Sequence, residues 1–184
     1  LSVDVDCEPE VQEQFKSAAH YAQEYYDIGL MKYRNRTPAI GRGYVGNAMF
    51  YVGWASHLLQ DMGVVNHTYD SHFSNHAEIE EFADGKGGQA QFHAQKGVAM
   101  YPFTPGGPLP SAADFVVALA HIIHRPEFFD TVKEGRTDEW EPIVTLGLSE
   151  AEKHTAGLIA LFMTEAGIAP HTPPLLGRVE AYGG

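Results

Sequence analysis

The sequence predicts an all-α fold, a multi-helix bundle, and three observations carry that expectation. Apolar residues recur every three or four positions through most of the chain, the spacing that gathers them on one side of a helix. No segment shows the sustained alternation of apolar and polar residues that a half-buried strand requires. Boundary signals, with Pro at first helical positions, Ser and Thr as caps and Gly or Pro as stops, cut the apolar runs into helix-sized pieces.

Residues 1–8 are acidic and read as extended. Pro9 is suited to the first turn of a long helix reaching about Asn35, with Phe15, Ala18, Ala19, Ala22, Tyr25, Tyr26 and Leu30 on one side. Arg36-Thr37-Pro38 is a break, with Thr37 as N-cap and Pro38 opening a second helix that runs to about Gly63. Ala48, Tyr51, Val52, Ala55, Leu58, Leu59 and Met62 give it an apolar face. Residues 64–72 read as a loop, followed by a short helix that stops at Gly85. The Gly- and Pro-rich stretch 85–110 is a long loop, and long loops in compact domains are often functional. Ser111 caps the helix SAADFVVALAHIIH, which Pro126 ends while opening a shorter helix to Lys133. After Gly135 one helix is expected over 138–147, and Ser149-x-x-Glu152 has the form of a capping box opening a last helix to about Ala166. Residues 1–167 thus read as a single all-α domain, and 168–184 as a Pro/Gly-rich tail.

The 184 residues can bury a sizeable core, and a formal charge of −12 argues against broad binding to nucleic-acid phosphates. Cys7 is the only cysteine, so no internal disulfide can form, and bound metal is one alternative source of stability. No run is long and apolar enough to span a bilayer. The chain opens on Leu1 with no visible signal peptide, which reads as a processed chain or a piece of a longer one.

The chemistry is concentrated in HLLQDMGVVNHTYDSHFSNHAEIEEFAD. His57 and Asp61 are four apart, as are His76 and Glu80, and residues four apart lie one turn above each other on a helix face. His67 lies between the pairs. Imidazoles with carboxylates and no thiolate form the ligand set of a catalytic zinc site rather than a zinc finger. A lone His among apolar residues is an ordinary core histidine. The carboxylate one turn on changes that, because on a mostly apolar helix it is costly unless paired or metal-bound. His72, four before His76, is a reserve ligand, and Asp70 could orient a ligand imidazole. His93, His121 and His124 have no partner spacing and read as structural; His20 and His154 read as packing or as supports of the site. Tyr69, Phe73 and the loop from Tyr101 to Phe103 could line an apolar approach or simply pack.

These residues resemble the zinc-dependent phospholipase C family, whose motif runs His, three residues, Asp, five residues, His, then a later His, three residues, Glu. The segments NAMFYVGWASHLLQDMGVVNH, SEAEKHTAGLIALFMTE and SAAHYAQEYYDIG are also similar to helices of that family. The resemblance implies helices enclosing three clustered zinc ions, and metal-assisted hydrolysis of a phosphodiester, typically in a phospholipid headgroup. It implies that His67, His76 and Glu80 hold one zinc, that His57 and Asp61 supply half the ligands of a second, and that Asp61 bridges to a third. Asp61 and Glu80 are then the candidate catalytic carboxylates. The family takes further ligands from an N-terminal Trp, an Asp and other His residues, whereas this chain has no His before His20. Those ligands are expected from a missing N-terminal segment or a second chain, or Asp4 or Asp6 could substitute for one carboxylate. The related S1/P1-type nucleases usually end the motif with Asp where Glu80 stands, and their gap before the last pair is longer, so the phospholipase branch is the expectation and a nuclease the alternative. A catalytically reduced, zinc-stabilised binding domain is the other alternative. Secretion is expected from the resemblance and the missing initiator Met.

Overall fold

A computed structural model describes residues 9–37, 43–69, 75–87 and 109–168. They form helices α1 (Pro9–Arg34), α2 (Gly43–Asp61), α3 (Val65–Thr68), α4 (His76–Gly87), α5 (Ala112–Ile123), α6 (Pro126–Lys133) and α7 (Trp140–Glu165), with a 3₁₀ turn at Thr137–Glu139. No strand occurs among the described residues, so the fold is all-α. No helix is long and apolar enough to cross a membrane among those residues.

The core follows from the apolar spacing. On α1, Ala19, Ala22, Tyr26 and Leu30 are buried; on α2, Ala48, Val52, Ala55 and Leu59. Both series step by three or four residues, which is one helix face. The small residues let the backbones come close: a Cβ built on Gly29 would lie 3.0 Å from Val52 Cγ2 and 3.1 Å from the Ala48 carbonyl oxygen. α5 packs on α1, and α7 packs on both α2 and α5. Phe115, Leu119, Leu158 and Phe162 from α5 and α7 fill the space between them, and full burial of such a side chain contributes roughly 1.5–3 kcal/mol.

Polar contacts fix the ends. Ser111 and Asp114 form the reciprocal cap of α5, Ser111 accepting from the Asp114 N–H while the Asp114 carboxylate accepts from the Ser111 N–H, an arrangement worth about 1 kcal/mol. Phe162 meets Tyr26 and Tyr33 edge to face at 6.0 and 5.8 Å. The Tyr26 hydroxyl donates to Glu165, and Arg34 donates to the Glu165 carbonyl at 2.8 Å. Burial, then the Glu165 hydrogen bond, pushes the Tyr26 phenol far above its ordinary range.

Three boundaries differ from the sequence expectation. The stretch 138–166 is not two helices but the single α7, with Ser149 and Glu152 in its interior. Gly147, which looks like a break, is a packing residue there: a Cβ on it would lie 2.2 Å from the Gly63 carbonyl oxygen. The expected loop 64–72 contains the one-turn helix α3. Helix α4 passes through Gly85 to Gly87. The predicted entry into α2 at Pro38, the extended residues 1–8 with Cys7, the long Gly/Pro-rich loop from residue 88 to 108 and the tail from 169 lie outside the described residues.

The contact at Gly147 generates a prediction. Gly147→Ala forces the α2–α3 turn away from α7 and should cost about 1–3 kcal/mol, the usual range for overpacking. Gly53→Ala on the exposed face of α2, where a Cβ would meet nothing within 4 Å, should instead stabilise by roughly 0.5–1 kcal/mol. Urea denaturation of both variants checks the pair of signs.

A second prediction concerns pH. His154 is buried on α7, and its Nδ1 donates to the Glu150 carbonyl at 2.7 Å. Burial holds its pKa below the ordinary histidine value, outweighing the Glu150 carbonyl and carboxylate that pull it up. An imidazole with a lowered folded pKa is neutral in both states above the unfolded value of about 6.5; below it the unfolded chain takes up the proton first, and stability is lost as pH falls. The free energy of unfolding should therefore decline from pH 7 to 5, and His154→Leu should flatten that decline. Parallel pH profiles for the two proteins would rule out His154 as its source.

Candidate metal centre

The chain leaves α2 at Asp61 through a tight turn in which Gly63 N–H donates to the Gln60 carbonyl at 2.8 Å and Val64 N–H to that of Asp61 at 3.0 Å. It enters α3 at once. Val65, Asn66 and Thr68 are buried, so His67 is the half-buried residue of this single turn. Helix α4 starts at His76, directly after Asn75, whose φ of 65° is a left-handed conformation that Asn tolerates better than most residues. Glu80 lies one turn further along α4, on the same face.

Three atoms converge here. His67 Nε2 and His76 Nε2 are 3.2 Å apart; Glu80 Oε1 is 3.5 Å from the first and 3.2 Å from the second. The triangle has the size a zinc ion requires: ligand atoms about 2.0–2.1 Å from a tetrahedral ion are roughly 3.3 Å from one another. The two imidazole nitrogens belong to different helices, and their rings meet edge to face with centroids 4.8 Å apart. If both Nε2 atoms carry lone pairs, the pairs repel at this distance unless a cation lies between them. Two imidazoles and one carboxylate form a known catalytic zinc set that leaves a fourth position open. The residues present therefore fit a zinc ion, and they are the one group of three such donors among the described residues.

His57 and Asp61 are paired but stand apart from this group. His57 Nε2 is 3.7 Å from Asp61 Oδ2, and the His57 side chain is 60% exposed, its ring against Trp54 at 5.9 Å. Phe50, Gly53 and Trp54 line a shallow exposed hollow with it. No third donor joins the pair among the described residues. Asp4, Asp6, Asp70, His72, Phe73, His93 and the residues from Tyr101 to Phe103 lie outside them.

The remaining histidines divide by environment. His20 is exposed on α1, edge-on to Tyr21 at 5.7 Å, and does not pack in the core as its small-residue face suggested. His154 is buried, as expected of a packing residue. His121 and His124 lie on α5 and at its C-cap, each with its pKa lowered by burial. His124 is more than filler. Its Nδ1 is 2.9 Å from the Thr68 carbonyl oxygen, and its ring stacks on Tyr69 at 4.0 Å. Tyr69 stacks on Phe129 of α6 at 4.4 Å, which makes it a packing residue. Sequence spacing could not reveal this link, because His124 and Thr68 are far apart in the chain; the only local signal was Asn75, a residue type suited to positive φ, directly before a ligand-bearing helix.

An apolar cleft of ≈ 190 Å³ lies between the end of α2, α4 and α7, lined by Val64, Val65, Ile79, Ala83, Val144 and Leu148 among others. Val65 shares α3 with His67, and Ile79 and Ala83 share α4 with His76 and Glu80.

No family model matches this chain, and no curated protein or solved structure matches it either.

The triangle predicts one tight zinc per chain. Zinc at a hundred times its Kd should stabilise the fold by about 2.7 kcal/mol, an increment that His67→Ala and Glu80→Gln should remove and His57→Ala should leave. Thermal unfolding with and without zinc, beside elemental analysis, measures it. An increment unchanged in His67→Ala would mean that any zinc is held elsewhere.

Proposed function

We propose that this protein is a zinc-dependent phosphodiester hydrolase of phospholipase C type, acting on phospholipid headgroups. The observation that carries the reading is the triangle of His67 Nε2, His76 Nε2 and Glu80 Oε1. This donor set suits metal-assisted hydrolysis; the choice of a phosphodiester rests on the resemblance of the motif from His57 to Glu80 to that of the zinc-dependent phospholipase C family, and the apolar cleft beside α3 and α4 suits the hydrocarbon part of such a substrate. When bound, zinc supplies Lewis acidity toward a phosphoryl oxygen and activates water by lowering its pKa toward ~7. The chain's own residues hold and orient the site. His67 and His76 would offer imidazole nitrogens from two helices, and Glu80 a carboxylate oxygen, to hold the ion. In this reading Asp61, at the end of α2 and 30% exposed, would serve a second ion together with His57. In this reading the protein acts outside the cytoplasm, and its remaining ligands come from a segment or chain that brings donors to the His57–Asp61 pair.

The isolation of that pair favours a second reading, a zinc-stabilised binding domain with no turnover. The two separate in one experiment. Zinc-loaded protein is incubated with phosphatidylcholine in mixed micelles, and release of phosphocholine is followed. Zinc-dependent release that His76→Ala abolishes is the expected result; tight zinc binding with no release from phosphatidylcholine selects the binding domain. Cleavage of single-stranded DNA in place of lipid would select a nuclease on the same donors.

A further inference from the structure

We infer that His124 and Asn75 are positioning residues that hold the two metal-binding imidazoles at chelating distance, by tying both ligand-bearing helices to α6 and the C-terminal end of α5. The inference rests on the metal-site reading and extends it to residues with no ligand role of their own.

Helix α3 is four residues long, and a single helical turn has no stability of its own in water. The position of His67 is therefore set by what grips the residues around it. Thr68, wholly buried, is held twice: its hydroxyl donates to the Val65 carbonyl at 2.7 Å, and its own carbonyl accepts from His124 Nδ1 at 2.9 Å. A carbonyl can only accept, so Nδ1 of His124 carries a proton and donates it here. The next residue, Tyr69, is sandwiched between the His124 and Phe129 rings, 14° and 17° from parallel with them. His67 thus sits directly before two residues fixed by α5 and α6.

The other imidazole is held from the same side. Asn75, adjacent to His76, donates from Nδ2 to the Val132 carbonyl at 2.8 Å, near the C-terminal end of α6. Its own carbonyl accepts from the Ile79 N–H at 3.0 Å, which starts the hydrogen-bond ladder of α4. The end of α5 and the helix α6 that follows it therefore grip both sides of the 3.2 Å separation between the ring nitrogens. Nothing in α3 or α4 alone would set that distance.

The test compares zinc affinity, by competition with a chromogenic chelator, in the full chain and in Asn75→Asp, Asn75→Gly and His124→Phe. Asn75→Asp removes the donor while keeping size and tolerance of positive φ; His124→Phe keeps a ring to stack on Tyr69 and loses the donor. Each variant should bind zinc about 10- to 100-fold more weakly and shift the visible absorption of the cobalt-loaded protein, while the metal-free protein keeps its helical circular dichroism. A purely structural role would lower metal-free stability and leave the cobalt spectrum unchanged. Should His124→Phe fail to fold, the two Asn75 variants decide the matter. Zinc bound as tightly as in the unaltered chain by Asn75→Asp and Asn75→Gly, with His67→Ala deficient, overturns the positioning role. Equally weak binding by the unaltered chain and His67→Ala overturns the metal reading itself, and this inference with it.

Discussion

The close approach of Gly63 to Gly147 is the constraint on which the site side of the molecule depends. A Cβ on Gly147 would lie 2.2 Å from the Gly63 carbonyl oxygen; one on Gly63 would lie 3.0 Å from the Gly147 carbonyl oxygen and 3.1 Å from Ala151 Cβ. Backbone rests on backbone, so α7 serves as a wall against which the chain turns out of α2. Helix α7 runs unbroken through this glycine for 26 residues. A central glycine costs an isolated helix roughly 1 kcal/mol, and packing on both sides of α7 offsets the loss. From this contact the turn passes directly into α3, and α3 carries His67.

The largest buried core residues lie on α1, α2, α5 and α7, whereas the three donors lie on α3 and α4. Tyr26, Leu59, Leu119 and Phe162, all on α1, α2, α5 and α7, are almost wholly buried. The donors His67, His76 and Glu80 lie on α3 and α4, partly open to solvent. This arrangement suits a metal centre. Ligands need water access to load and exchange an ion, yet their spacing must be set to a few tenths of an ångström, and a four-residue turn acquires that rigidity only by borrowing it from packed neighbours.

Much of this was readable in the sequence, because helical periodicity is a local signal. Ala19, Ala22, Tyr26 and Leu30 announce the buried face of α1, and Ser111 announces the start of α5. The same local logic misread α7. Ser149-x-x-Glu152 after Gly147 has every feature of a helix start, and only the tertiary contact with Gly63 explains why the chain continues as a helix through it. The His76–Glu80 pair was legible for the same reason as the apolar faces, since one-turn spacing makes neighbours of residues four apart. That His67 would join them depended on α3, a single turn whose existence rests on long-range contacts with His124 and Phe129 that no window of sequence contains.

The two turn-spaced pairs of the motif show how little spacing alone decides. His57–Asp61 and His76–Glu80 have the same separation on a helix face, and only the second gains a third donor among the described residues. The difference lies in the helices that bear them. Helix α4 starts where Asn75 is tied to α6, and that anchor turns His76 toward α3 and His67. His57 and Asp61 sit in the last turns of α2 on a face that continues into the exposed Phe50 and Trp54, and no third donor reaches them among the described residues. Two donors one turn apart bind zinc far more weakly than three, because catalytic and structural zinc sites alike draw on at least three protein ligands. Among the described residues it is therefore His67, His76 and Glu80 that could hold a metal ion, and His57 and Asp61 form a pair without a third donor.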